Sequence, residues 1–161
     1  MGRLFLFLSI IFLSGYGLFA QDTVKVIRVV DACTIEIELE GQIQTIRLLG
    51  VNPTKANPEY LKGKSSKFID GVKKREKEAF NFTKSLIKKG DNVLIDFDKS
   101  RFDRMNRLVG YVYFNNGKML NEQIIESGYA SVSFEAPNTK FQERFQKDYL
   151  DARENRRGLW K

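Results

Sequence analysis

Histidine is absent from the 161-residue chain, and cysteine occurs once, at Cys33. Without imidazole, the usual zinc ligand and the usual proton carrier near neutral pH are both missing. A single thiol cannot close an internal disulfide, so the fold must stand on its apolar core. A long uninterrupted apolar run is also lacking. The stretch Leu4–Leu13 contains Ser9 and gives way to Ser14, Gly15 and Gly17, short of the roughly 20 apolar residues of a bilayer-spanning helix. No internal repeat or low-complexity tract stands out.

What is present begins with Arg3, the apolar stretch behind it and the small residue Ala20, a pattern that predicts a signal peptide over residues 1–20. The broken apolar run fits an uncleaved anchor less well. The expectation is therefore an exported protein, periplasmic or secreted, with one domain over 21–161 and no transmembrane span once the leader is cut. Basic residues outnumber acidic ones by 27 to 20, a net charge of +7. That excess favours polyanionic partners, nucleic acid among them, although a solvated basic surface has the same composition.

Val24–Val30 is β-branched and apolar, and Thr34–Glu40 alternates strictly, with Ile35, Ile37 and Leu39 opposite Glu36, Glu38 and Glu40. Gly41-Gln42 then turns the chain into Ile43–Leu49, which predicts a three-stranded antiparallel meander. From Gly50 to about Val72, Pro53, Pro58, Gly63, Ser65, Ser66 and Gly71 predict a long mobile loop. Its basic string Lys62–Lys67 reads first as a solvated loop, ahead of a grip on a nucleic-acid backbone. Ala79, Phe82, Thr83, Leu86 and Ile87 fall on one helical stripe, with Gly90 where a cap is expected. Val93–Phe97 and Leu108–Phe114 predict two more strands around the charged connection Asp98–Arg107. A short helix carries Leu120, Ile124 and Ile125 and ends at Gly128. A last helix opens at the capping pair Thr139 and Gln142 and turns Phe141, Phe145 and Tyr149 to the core.

Nine strings in register along residues 24–160 resemble the staphylococcal nuclease-like (thermonuclease) family. They are Val-Val-Asp-Ala-Cys-Thr-Ile (29–35), Ile-Arg-Leu-Leu-Gly-Val (46–51), Glu-Ala-Phe (78–80) with Phe82-Thr83-Lys84, Phe-Asp-Lys (97–99) and Asp103–Arg107. Gly-Tyr-Val-Tyr (110–113), Gly-Lys-Met-Leu-Asn-Glu (117–122), Gly-Tyr-Ala (128–130) and Gly-Leu-Trp (158–160) complete the set. The resemblance implies an α+β fold, a five-stranded OB-type barrel packed with three helices. It also implies a site on the barrel face around Asp31, Arg47 and Arg107.

Members of that family hydrolyse phosphodiesters of DNA and RNA with calcium held by two aspartates. A glutamate positions or deprotonates the water, and two arginines grip the phosphate. By resemblance the arginines are Arg47 and Arg107. The acids differ. Where the family has Asp-Gly-Asp-Thr the chain has Asp31-Ala32-Cys33-Thr34, which puts Cys33 at the first metal aspartate. Asn52-Pro53-Thr54-Lys55 stands in place of Asp-Thr-Pro-Glu, so Asn52 replaces the second aspartate and Lys55 the glutamate. Met105 and Phe134 occupy tyrosine positions of the base-stacking side. Arg104, Phe134 and Tyr113 are the substrate-binding candidates.

The expectation is a catalytically degenerate nuclease: a monomer that binds nucleic acid or another phosphate-rich polyanion, with no cofactor. Two alternatives stay open. One is an active calcium-dependent endonuclease whose metal site has moved to Asp31 and Glu59; the other is an envelope scaffold for protein contacts. Cys33 itself also reads as a small buried hydrophobe, and the two arginines as ion-paired barrel residues.

Overall fold

A computed structural model describes residues 23–54 and 57–161. The expected leader and Lys55 lie outside the described residues. Among those residues no helix is long and apolar enough to cross a membrane.

The meander forms as expected, as β1 (Thr23–Asp31), β2 (Thr34–Leu39) and β3 (Gln42–Leu48). The three residues Gly50–Asn52 make a further short strand, β4. The later pair forms too, as β5 (Asn92–Asp96) and β6 (Leu108–Phe114). These elements close a five-stranded barrel in the order β1-β2-β3-β6-β5. Every pairing in it is antiparallel except β3 with β6. Alternation does the sorting: Ile35, Ile37, Ile46 and Leu48 are fully buried, while Glu38 and Thr45 between them face out. β1 slips register twice against β2, the second time between Val29 and Asp31, and such irregularities re-aim the side chains beyond them.

The segment from Gly50 to Val72 is not one long loop. It holds β4, a single helical turn α1 (Pro58–Leu61) and the first part of α2 (Ser66–Leu86). Ser65, counted as a breaker, is the N-cap of α2 and accepts a hydrogen bond from the Phe68 amide at 3.3 Å. Gly71 sits on the exposed helix surface with open space around it, where a glycine weakens a helix without ending it. The buried stripe of α2 runs through Val72, Ala79 and Thr83, and so starts one heptad earlier than the sequence suggested. The Thr83 hydroxyl reaches the Ala32 carbonyl at 3.0 Å and so pins α2 to the turn that carries Cys33.

Two caps also differ from expectation. α2 ends at Leu86, and Gly90 instead serves the turn into β5 with φ +91, its amide donating to the Val26 carbonyl at 2.8 Å. α3 (Leu120–Glu126) stands where the short helix was expected. α4 (Gln142–Glu154) begins after Phe141 with no side-chain cap; Thr139 contributes its carbonyl, not its hydroxyl, to the Gln142 amide. Behind α3, β7 (Ser131–Ser133) pairs with β4, and a 3-10 turn at Gly158–Trp160 closes the described chain. Four helices therefore accompany the barrel among the described residues, the extra one being the single turn α1.

Phe145 is fully buried, with the rings of Tyr111, Phe141 and Phe134 within 6.2 Å of it. The aromatic face of α4 is core, as its spacing implied. Asn121 crosses the same interior: its Oδ1 accepts the Val112 amide, and its Nδ2 donates to the carbonyls of Leu49 and Gly110. That satisfies a buried amide whose isolation would be costly and ties α3 to the end of β3 next to the site.

Candidate functional site

Parallel pairing of β3 with β6 brings the two arginines together. Ile46 lies opposite Leu108 and Arg47 opposite Val109. One step before Leu108, Arg107 therefore lies alongside Thr45, which shares the outward face with Arg47. Two cavities meet at this point. One, of about 410 Å³, runs toward Arg104, Phe134 and Asn138; the other, of about 420 Å³, runs toward Asp31, Thr34 and Gln44. Arg47, Arg107 and Phe102 line both.

Arg47 is half-buried and held by two contacts, Nη1 donating to Cys33 Sγ at 2.7 Å and Nη2 to the Val51 carbonyl at 3.3 Å. Cys33 is fully buried. Its amide donates to Asp31 Oδ1 at 2.8 Å, which fixes the Asp31-Ala32-Cys33 turn. Asn52 lies on β4, its Nδ2 donating to the Ser131 hydroxyl at 3.2 Å across the β4–β7 pair.

Arg107 is exposed and paired. Its Nε donates to Asp103 Oδ2 at 2.7 Å, while Asp103 Oδ1 accepts the amides of Met105 and Arg107, each at 2.9 Å. Asn106, at φ 57, completes this tight turn, a conformation that asparagine tolerates better than most residues. One of the two arginines is thus an ion-paired residue as well as a site residue. Burial works to raise the Asp103 pKa, but the hydrogen bonds from Arg107 and from the Met105 amide outweigh it and hold the carboxyl below its ordinary 3.8. A carboxyl depressed on folding contributes stability above its unfolded value and loses it as pH falls through the folded one. The gap in unfolding midpoint between the unchanged protein and Asp103→Asn should therefore be present at pH 6 and close as pH drops below about 3.8. Thermal melts across that range check it; a gap that persists unchanged at pH 2 contradicts it.

Arg104 and Phe134 line the first cavity, Arg104 in an ion pair with Glu135. Gly50, at φ +78, makes room for Phe134: a Cβ there would lie 2.7 Å from Phe134 Cζ and from a Phe145 ring carbon. Tyr113 lines neither cavity. It sits half-buried on β6, and burial together with nearby Asp96 pushes its hydroxyl up to about 12. Met105, 69% exposed, and Glu59, in the turn α1, also line neither. Asp31 does line the second cavity. Lys62, Lys64 and Lys67 are exposed around the α1–α2 corner, Lys62 and Lys64 in the short connection and Lys67 in the first turn of α2.

Sequence reasoning missed three contributors. Phe102 is a 50% exposed ring in an otherwise charged connection, and that incongruity was its only signal. Asn138 is buried, and its amide clamps Ser100 through both backbone groups, which joins the two loops that wall the first cavity. Asp103 was visible in its string but had no role until the turn was seen.

A model of the staphylococcal nuclease homologue family matches residues 45–161. The chain is 33% identical over 140 residues to the thermonuclease of Staphylococcus hyicus, spanning 87% of this chain and 76% of that protein. Against the thermonuclease of Staphylococcus intermedius it is 29% identical, over 83% of this chain and 73% of that one. The SPbeta prophage-derived endonuclease YokF of Bacillus subtilis is 32% identical over 83% of this chain, but that alignment spans only 42% of YokF. With a closed barrel, an arginine pair on its outer face and matches of this extent, the chain belongs to the staphylococcal nuclease family.

Proposed function

We propose that this domain is a catalytically degenerate member of its nuclease family that grips a phosphate-rich polyanion, nucleic acid first among them, on Arg47 and Arg107. The observation that carries the reading is the placement of the Arg47 guanidinium against Cys33 Sγ, where a metal-binding carboxylate is implied by the family pattern. Calcium takes six to eight oxygen ligands, mostly carboxylates and carbonyls. The donors near the arginines are a sulfur, Asp31, whose Oδ1 already takes the Cys33 amide, and Asp103, already paired with Arg107; the amide of Asn52 is engaged with Ser131. No three carboxylate or thiol side chains gather as a metal cage among the described residues. This donor set suits a hard cation poorly and an anion well, because planar guanidinium forks match phosphate oxygens. Export by the leader at 1–20 is part of the proposal and places the domain outside the cytoplasm.

The deciding experiment is a pair of assays on the purified protein. Retardation of a short single-stranded oligonucleotide is expected at low salt and is expected to fade steeply toward roughly 200 mM, as counterion release requires. Plasmid DNA incubated with calcium should remain uncut on the timescale of an ordinary enzyme, on the order of one turnover per second. Calcium-dependent cleavage at that rate makes the domain an active nuclease. Salt-insensitive failure to bind any polyanion leaves only a scaffold role.

A further inference from the structure

We infer that the second cavity is a nucleobase subsite in which an unstacked base lies against Phe102, so the polyanion is specifically single-stranded nucleic acid. This rests on the polyanion reading above and narrows it. Three residues line both cavities: Arg47, Arg107 and Phe102. Two arginines beside an exposed aromatic residue are what single-strand binders use, cations for the backbone and a ring for the base. A polymer of phosphate alone has nothing to place on such a ring.

The lining of the second cavity points the same way. Among the described residues of its lining, the basic ones are the two shared arginines, and Asp31 adds a carboxylate. Thr34, Gln44, Thr45 and Asn106 instead offer neutral donors and acceptors that suit the edges of a base or a sugar hydroxyl. Its volume of about 420 Å³ is that of a small-ligand site. With a phosphate on the arginines, one nucleotide reaches toward Phe134 and its neighbour lies over Phe102. In a duplex each base is stacked between its neighbours, which hides the faces that Phe102 needs, so a duplex is disfavoured.

The ring is half exposed, so truncation leaves the fold standing. Phe102→Ala and Phe102→Trp are compared with the unchanged protein by fluorescence anisotropy on three probes: a labelled oligo(dT), an abasic strand of the same length, and inorganic polyphosphate as competitor. Phe102→Ala should weaken oligo(dT) by roughly tenfold, the effect of removing one stacking platform, and Phe102→Trp should restore it. Abasic strand and polyphosphate should shift by less than about twofold, because their contacts are electrostatic. An unchanged oligo(dT) affinity in Phe102→Ala, or an equal loss on the abasic strand, overturns the base subsite while the polyanion reading stands. If the unchanged protein binds none of the three probes at low salt, both readings fall.

Discussion

Substituting Cys33→Asp, Asn52→Asp and Lys55→Glu together is expected to create calcium-dependent DNA cleavage at least about 10³-fold above that of the unchanged chain. A bound cation and a general base each supply several kcal/mol of transition-state stabilisation, and the three changes return both. Across these positions and the two arginines the chain carries three positive charges and no acidic residue, whereas the family pattern carries three carboxylates against two arginines. On the degenerate-site proposal, that change of sign is what keeps a divalent cation from the site.

The geometry favours the substitutions. Cys33 is fully buried, where a lone carboxylate would be costly, but Arg47 Nη1 already stands 2.7 Å from Sγ and would pair with it. Asn52 is exposed, and aspartate keeps its shape. A variant with both aspartates but Lys55 retained should bind calcium and cleave about 10²-fold to 10⁴-fold less well than the triple variant, the usual worth of a general base. Calcium at about 100 times its Kd should raise the stability of either variant by about 2.7 kcal/mol, a readout independent of cleavage. Plasmid nicking with calcium or chelator, beside thermal melts, checks all of this. A folded triple variant that neither cleaves nor gains stability with calcium would show that these three positions are not the family's acid positions.

How far the sequence could carry these conclusions depended on the range of the contacts involved. Ile35, Ile37 and Leu39 alternate with glutamates, so β2 declares both its conformation and its buried face locally. The first half of α2 does not, because Ser65, Ser66 and Gly71 carry loop statistics whether they cap a helix, begin one or sit on its exposed side. β4 and β7 are three residues each, and their pairing joins Asn52 to Ser131, a separation no local pattern reports. The arginine pair was readable through resemblance, yet its proximity is a product of the parallel β3–β6 register, and the contact of Arg47 with Cys33 follows from strand neighbours Thr34 and Arg47. Phe102 was hidden because nothing in a sequence tells which exposed ring borders two cavities.

Removing both guanidinium groups, as Arg47→Ala with Arg107→Ala, is expected to weaken single-stranded DNA binding by about 10²-fold to 10⁴-fold at low salt, the worth of two charge-assisted hydrogen-bonding groups. The slope of log affinity against log salt should become shallower by about 0.7 for each phosphate that is no longer neutralised. The two single variants should not be equivalent. Arg47 donates to a sulfur and a carbonyl, so its loss removes attraction alone. Arg107 also covers the Asp103 carboxylate, so Arg107→Ala removes attraction and uncovers a negative charge at the rim. Asp103→Asn made in the Arg107→Ala background should therefore recover part of the missing affinity, which a merely structural ion pair would not predict. Arg47→Lys, which keeps the charge but not the planar fork, should fall between the unchanged protein and Arg47→Ala. Anisotropy titrations over a salt series read each comparison. If the folded double variant binds as tightly as the unchanged protein, the polyanion is held elsewhere, and the exposed Lys62, Lys64 and Lys67 at the α1–α2 corner become the surface to substitute, because a polyanion needs cations wherever it rests.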